Sequence, residues 1–290
     1  MPSAPLPFEH NDYSILDPIV GHILSATNGP EHFRAEVTRL LRTAIDEVID
    51  APRTGRFVLS ATEKTEKTYL GTKIEILLRN KLGFAKGTRL DMSIGNTEVD
   101  IKTTMGRNWS IPPENIDGLA LLVRTDEAKA ICDIGLGVMK DAYLSNGRNR
   151  DGKRTISIEG QKNIWWILKD EPYPPNLWER IDPLVLSDIL GAGAATARLA
   201  RLFEKIQGQP ISRTHVQAIA QQHDYMKRIR RNGGARDILA PKGIAILWGE
   251  GDKALINELG LGPVLNDEFI SHRPRDAKEA QLLRRLNQID

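Results

Sequence analysis

Arg89-Leu90-Asp91-Met92-Ser93-Ile94-Gly95-Asn96-Thr97-Glu98-Val99-Asp100-Ile101-Lys102-Thr103 reads as two short β-strands joined by a tight turn. Leu90, Met92 and Ile94 alternate with polar residues, and Val99 and Ile101 alternate again after Gly95-Asn96. Gly-Asn between two alternating runs is a two-residue hairpin loop, which fixes the register. Ile94 then faces Thr97, Met92 faces Val99 and Leu90 faces Ile101. Asp91 lands opposite Asp100, with Lys102 further along the same polar face. Directly opposed residues have Cβ atoms roughly 4.5–5.5 Å apart, where like charges destabilise a sheet. Two carboxylates so placed call for a cation between them, and a hard divalent ion with oxygen ligands fits.

The segment before the hairpin is expected to be a helix from about Glu63 to Leu82, with Leu70, Ile74, Leu77, Leu78 and Leu82 as its apolar stripe. Glu75 lies on this helix, and Gly71, one turn earlier on nearly the same face, leaves room beside it. A solvated helix carboxylate is the plain alternative for Glu75. Glu31 to Asp50 is a second expected helix, ended by Pro52.

Beyond the hairpin, Gly106 to Asn115 is polar and broken by proline, so it is expected to be a loop. Leu119–Arg124, Ala130–Met139, Thr155–Ile158 and Ile164–Leu168 are expected strands. The stretch 145–154 carries Arg148, Arg150, Lys153 and Arg154 against Asp151. It is either a solvated hairpin tip or a loop that enters a DNA groove, where Arg and Asn read guanine and adenine edges.

Four prolines and four acids between Lys169 and Pro183 mark a linker, which divides the chain into 1–170, a linker 171–183, and 184–290. In the last part Leu184–Ile206 is expected to be helical, Ser212 to cap a helix through Ala220, and Tyr225–Gly234 to form a basic helix. Ile238–Leu247 is expected to be a small hairpin. Helix, turn, basic helix and hairpin is the order of a winged helix-turn-helix. Residues 211–242 hold seven Lys/Arg (Arg213, Lys227, Arg228, Arg230, Arg231, Arg236, Lys242) against two Asp, a local basic patch of the kind that binds phosphates. His215 and His223 lack any paired ligand spacing and are expected to lie at the surface or against phosphates.

The 290 residues are 40% apolar, enough for one large domain or two ordinary ones, and the net charge of +2 excludes a uniformly basic nucleic-acid binder. The one cysteine, Cys132, sits in an apolar run and is expected to be a small core residue, which suits a reducing cytoplasm. The Pro-rich start, Met1 to Phe8, lacks the basic and apolar blocks of a signal peptide. No apolar run is long enough to span a membrane.

Asp91 followed by Asp100-Ile101-Lys102 is the spacing of Mg²⁺-dependent nucleases of the PD-(D/E)xK type. Two carboxylates can hold Mg²⁺ beside a scissile phosphate, and a lysine on the same strand face can orient or help deprotonate water. An exposed hairpin with Asp91 paired to Lys102 remains the alternative from the pattern alone. The run Leu70-Gly71-Thr72-Lys73-Ile74-Glu75, its interval to Asp91, and Asp91…Asp100-Ile101-Lys102 resemble the NaeI family of type II (type IIE) restriction endonucleases. The order of the two parts is similar as well.

The resemblance implies a PD-(D/E)xK-like mixed α/β (α+β) sheet flanked by helices, plus a winged-helix DNA-binding domain. It implies that Glu75, Asp91 and Asp100 ligate Mg²⁺ with the Ile101 carbonyl, and that Lys102 assists hydrolysis. It further implies a homodimer that cuts both strands of a palindrome and is activated by a second DNA copy on the C-terminal domain. GCCGGC is the target of the best-known member. A cognate methyltransferase in the same cell follows from the class. Base reading is expected from Arg107, Asn108 and Trp109 and from the Arg148–Arg154 loop. Two other readings stay open at this point: a nicking endonuclease of the mismatch-repair kind, and a non-catalytic winged-helix regulator.

Overall fold

The structure, a computed structural model, describes residues 5–290, so the first four residues of the Pro-rich start lie outside the described part. In chain order the elements are α1 (Tyr13–Ser25), α2 (Pro30–Ile49), α3 (Ala51–Thr54), α4 (Lys64–Leu82), β1 (Met92–Ile94), β2 (Thr97–Thr104), β3 (Ser110–Ile111), β4 (Leu119–Asp126), β5 (Ile131–Val138), β6 (Arg154–Thr155), α5 (Ile158–Gln161) and β7 (Trp165–Pro172). There follow α6 (Pro183–Gly191), α7 (Ala195–Lys205), β8 (Ile211–Ser212), α8 (Arg213–Ala220), α9 (Tyr225–Ile229), α10 (Ala235–Leu239), β9 (Ala245–Trp248), α11 (Lys253–Glu258), β10 (Glu268–His272) and α12 (Ala277–Arg285). The chain is mixed α/β and divides into two units, one comprising residues up to 49 with 58–176, the other 50–57 with 177–290. Among the described residues no helix is long and apolar enough to cross a membrane.

The first unit is built on a five-stranded sheet in the order β1-β2-β4-β5-β7. Only β2 and β4 run parallel; the other neighbours are antiparallel. Strand β4 opens with five apolar residues, Leu119 to Val123, because both faces there are covered. Ala120 and Leu122 face a cluster of Trp109, Ile111, Met139, Leu144, Ile156 and Ile164. Val123, on the other face, lines a cleft together with Leu70 and Ile74 of α4. Leu70, Ile74, Leu78 and Leu82 are each at most 4% exposed, and burying each such side chain contributes roughly 1.5–3 kcal/mol. Cys132 is fully buried, and burial pushes its thiol up to about 12, in keeping with a core role.

The hairpin keeps the expected pairs Met92 with Val99 and Ile94 with Thr97, and Gly95 takes a φ of +60° at its turn. The ladder is shorter than expected, because β1 stops at Met92. Asp91 and Asp100 are therefore not a cross-strand pair. The Thr155–Ile158 strand is also shorter: it is Arg154–Thr155 with a single bridge from Ile156 to Leu144, since the Ser157 side chain accepts from Gly160 N–H and starts α5. The Pro-rich stretch 171–183 begins inside β7 and contributes the buried side chains Tyr173 and Trp178.

In the second unit a three-stranded sheet of order β8-β10-β9 packs Ala245, Leu247 and Ile270 against Leu255, Ile256, Leu259, Leu283 and Ile289. Ser212 caps α8 as expected, its hydroxyl accepting from His215 N–H. The expected basic helix 225–234 is cut short to α9, because Arg230 is already extended (φ −60°, ψ 169°); Asn232 and Gly233 follow with φ of +71° and +95°, and α10 begins only after them. The expected hairpin 238–247 is likewise replaced. Ile238 belongs to α10, and β9 pairs with β10 across a connection that holds α11.

Candidate active site

Helix α4 is fixed at both ends. Glu63 and Glu66 form a reciprocal capping box at its start. At its end Gly83 takes a φ of +68°, with Phe84 N–H bonded to Arg79 O at 3.3 Å and Gly83 N–H to Asn80 O at 3.2 Å. That is a Schellman cap, which needs glycine at the left-handed position. Between the ends, Gly71 lies so close to β2 that a Cβ there would sit 2.6 Å from Thr103 Oγ1. The missing side chain lets the helix close on the strand and brings Glu75 to the β2 edge.

Parallel pairing sets Asp100 beside Ala120 and Lys102 beside Leu122, so both share that sheet face, while Thr103 meets α4 on the other. Asp91 joins the two sides. Where β1 ends, its carboxylate takes the next free amide of β2, with Ile101 N–H donating to Asp91 Oδ2 at 2.8 Å. Lys102 Nζ donates to Asp100 Oδ1 at 2.7 Å and stands 4.0 Å from Asp91 Oδ2. Arg79 Nη1 lies 3.5 Å from Glu75 Oε1 and donates to the Asp91 carbonyl at 3.2 Å. Glu75, Asp91, Asp100 and Lys102 are thus brought together. Arg79 joins them, and sequence pattern had not singled it out. The signal for it is an i,i+4 Glu–Arg pair on a helix, which is common enough to pass unnoticed.

The electrostatics follow from three acids sharing two cations. Burial, then the neighbouring Asp91 carboxylate, pushes the Asp100 carboxyl up to about 7 against the pull of Lys102. Burial and Asp91 also raise Glu75, while Arg79 and Lys102 lower it. Among the described residues no three His, Cys, Asp or Glu side chains converge as a ready-made metal cage. Asp91 is instead near enough to both Glu75 and Asp100 to raise their carboxyls. All donors are hard oxygens, and their charge exceeds that of their protein partners. This set fits Mg²⁺, which keeps several of its waters and takes one or two carboxylates.

The expected DNA-contact residues separate into two groups. Arg107, Arg148, Arg150 and Lys153 are exposed. The loops that carry them are joined by the β3–β6 pairing of Ser110 with Thr155 and Ile111 with Arg154. Asn149 shapes the tip, its Oδ1 accepting from Asp151 N–H and Lys153 N–H at 3.0 and 2.8 Å. Arg154 is 6% exposed, bonded to Asp141 Oδ1 at 2.5 Å and to the carbonyls of Ser145, Asp141 and Leu144. It is the clamp of this loop and not one of its free cations. Trp109 is 2% exposed and donates its indole N–H to Val123 O at 2.9 Å, so it is a core residue and not a groove contact. Asn108 braces the loop through Ile156 O at 2.7 Å and Trp109 N–H.

In the second unit Arg213, Lys227, Arg230 and Lys242 are exposed, and Arg228, Arg231 and Arg236 partly so. Several are already paired: Lys242 with Glu204 at 2.8 Å, Lys227 with Asp224 at 3.5 Å and Arg236 with Asp252 at 3.4 Å. His215 is 8% exposed, edge-on to Trp178 at 5.2 Å, so it packs inside its unit and does not meet phosphates.

The family model described as restriction endonuclease NaeI matches residues 29–283. A protein named type II restriction enzyme NaeI, from Lentzea aerocolonigenes, is 33% identical over 249 residues, which covers 83% of this chain and 78% of that protein.

Proposed function

Since the chain belongs to the NaeI family and is a type II restriction enzyme, a DNA-cleaving hydrolase, we propose that its cleavage centre is the β2 edge where Glu75, Asp91, Asp100 and Lys102 meet. The observation that carries this reading is Asp91 itself. Its carboxylate is held by the Ile101 amide, stands 4.0 Å from Lys102 Nζ and raises the carboxyls of two further acids, Glu75 and Asp100. The protein core of unit one resembles what a PD-(D/E)xK nuclease needs: a mixed sheet whose second strand carries Asp-x-Lys, with a helix supplying the third acid.

Asp91 and Asp100, with the Ile101 carbonyl and Glu75, would hold Mg²⁺. A bound divalent ion supplies charge neutralisation at the phosphate and makes water more acidic. Asp91, fixed by a main-chain N–H, keeps its orientation when DNA arrives. Even with Lys102 and Arg79 beside them, Asp100 and Glu75 hold their charge at a cost, which favours loading of a divalent cation. The ammonium of Lys102 has three donors, of which Asp100 uses one. The others are available to a phosphate oxygen or to the attacking water.

Two copies of the centre, one per subunit of a homodimer, would cut the two strands of a palindrome, the protein two-fold matching the DNA two-fold. Arg107, Arg148, Arg150 and Lys153 are exposed, and these side chains would meet the DNA. The order α8, turn, α9, α10, then β9 and β10 supports a winged-helix reading of the second unit, which would bind the effector DNA. Incubating the purified protein with plasmid tests the reading. Linear products at discrete positions with Mg²⁺, and none without it, are expected. Open circles would point to nicking, and intact plasmid to a regulator. Asp100→Ala should abolish cutting while a gel shift still shows DNA binding. A protein lacking 184–290 should lose stimulation by added cognate oligonucleotide; persistent stimulation would remove the two-site model.

A further inference from the structure

We propose that Arg79 is a positioning residue for cleavage, which acts through Glu75 and Asp91 and not through the DNA. This rests on the cleavage centre proposed above. Three observations carry it. First, Arg79 is anchored from its own backbone, because its carbonyl accepts the Phe84 N–H of the Schellman cap that ends α4. Second, its guanidinium reaches two members of the centre at once, Glu75 Oε1 at 3.5 Å and the Asp91 carbonyl at 3.2 Å. Third, its side chain is only 17% exposed, less than those of Glu75, Asp91 and Lys102. A group so enclosed is placed to hold neighbours and not to sweep a phosphate from solvent.

The consequence lies in Asp91. Its carboxylate is held by the Ile101 amide on β2 and its carbonyl by Arg79 on α4. The two ends of this residue are thus tied to the helix and to the strand that bear the other acids. Arg79 therefore sets the spacing of Asp91 from Glu75 and Asp100, and it offsets one of three crowded negative charges. A lysine has the charge, but it lacks the rigid planar guanidinium that aims Arg79 Nη1 at the Asp91 carbonyl while keeping it beside Glu75. Outer partners of metal-binding groups that orient them in this way are worth about 10- to 100-fold in metal affinity or activity.

The test uses the full chain with Arg79→Met and Arg79→Lys, alongside the parent and Asp100→Asn. Thermal unfolding first confirms that each variant is folded. DNA affinity is read by gel shift with Ca²⁺, which replaces Mg²⁺ without cleavage. Mn²⁺ binding to the DNA-free protein is read by electron paramagnetic resonance, and single-turnover cleavage is followed against Mg²⁺ concentration. Arg79→Met is expected to keep parental DNA affinity, to bind Mn²⁺ about tenfold or more weakly, and to need about tenfold or more Mg²⁺ for half-maximal rate. Arg79→Lys should fall between it and the parent. Parental Mn²⁺ binding and Mg²⁺ dependence in Arg79→Met would overturn the proposal. Weakened DNA affinity with unchanged metal binding would overturn it too, by making Arg79 a DNA contact. Failure of the centre itself would show differently, as full cleavage by Asp100→Asn.

Discussion

Two aspartates of the same five-stranded sheet are almost equally hidden: Asp100 on β2 is 4% exposed and Asp133 on β5 is 1% exposed. Their surroundings differ. Asp133 accepts from Arg124 Nε at 2.5 Å, from Lys169 Nζ at 3.0 Å and from Asp170 N–H at 2.7 Å. Burial alone would raise its carboxyl, but these donors outweigh burial and hold it below the usual carboxylate range. Asp100 has one cation, Lys102, and another carboxylate beside it, and its carboxyl is pushed up to about 7. Depth of burial is the same, so the neighbours decide the sign. A structural carboxylate has its demand for positive charge met within the chain. The carboxylate of the proposed centre has that demand left partly open, for something the chain does not supply.

Replacing each in turn is the strongest way to break this contrast. Asp100→Asn is expected to lower cleavage more than about a hundredfold, since it removes a direct ligand and not merely an outer partner. It should also raise the metal-free melting temperature, because a crowded charge is gone. Asp133→Asn should do the reverse. It leaves Lys169 without its carboxylate and Arg124 with only the exposed Asp170, and breaking such a buried pair costs about 3–5 kcal/mol. Cleavage measured well below the new melting temperature should stay near parental. Melting curves and single-turnover rates on both variants check the pair. Loss of cleavage by folded Asp133→Asn would mean that the two aspartates do not divide into structural and functional roles.

A smaller effect lies in pH. The Asp100 carboxyl moves from an ordinary 3.8 to about 7. Between those values the folded chain keeps a proton that the unfolded chain has released. By linkage, the stability from this group is greatest at the acid end and falls as pH rises through the window. The parent should therefore melt like Asp100→Asn near pH 4, fall behind it up to about pH 7, and keep a constant deficit above about pH 8. Asp133, with a lowered carboxyl, runs the other way. Its contribution is full above the unfolded value and is lost as pH falls through the folded one, so the parent's advantage over Asp133→Asn should close only in acid. Mg²⁺ at pH near 8 should raise the parent's melting temperature and leave that of Asp100→Asn unmoved. Melting temperatures against pH, with and without Mg²⁺, read all of this.

The hairpin register, the helix stripe of α4 and the closeness of Glu75, Asp91, Asp100 and Lys102 were legible in the sequence. Each rests on a short-range period or on an adjacent turn. What was not legible depends on partners far along the chain. Arg154 and Arg150 look alike in sequence, yet Asp141 and three carbonyls make the first a clamp while the second is exposed. Trp109 sits in a polar, proline-broken stretch, but its indole finds Val123 O and a core. Asp133 is one polar residue in an apolar run, and its three donors come from β4 and β7. The end of β1 falls two residues short of the expected Leu90, because the Asp91 side chain takes the amide that the ladder would have used. The basic helix stops at Arg230, whose extended backbone nothing in the run of charges around it announces.

The smallest expected effect is the finest test of the idea that neighbours decide. Lys169 Nζ donates to Asp133 and also lies 4.1 Å from the Trp166 ring centre, but its side chain is 37% exposed. In Lys169→Met, Asp133 keeps Arg124 and the Asp170 N–H. The loss should be under about 1 kcal/mol, as for partly exposed pairs, with cleavage unchanged. Lys102 stands in the matching place beside Asp100, but there it is the lone cation within hydrogen-bonding distance among the described residues. Lys102→Met should therefore lift the Asp100 carboxyl further and slow cleavage, even in protein that melts normally. If Lys169→Met instead destabilises the chain as much as Asp133→Asn does, then Arg124 and the Asp170 amide do not suffice. The aspartate of β5 would then stand as close to its electrostatic limit as the aspartate of β2.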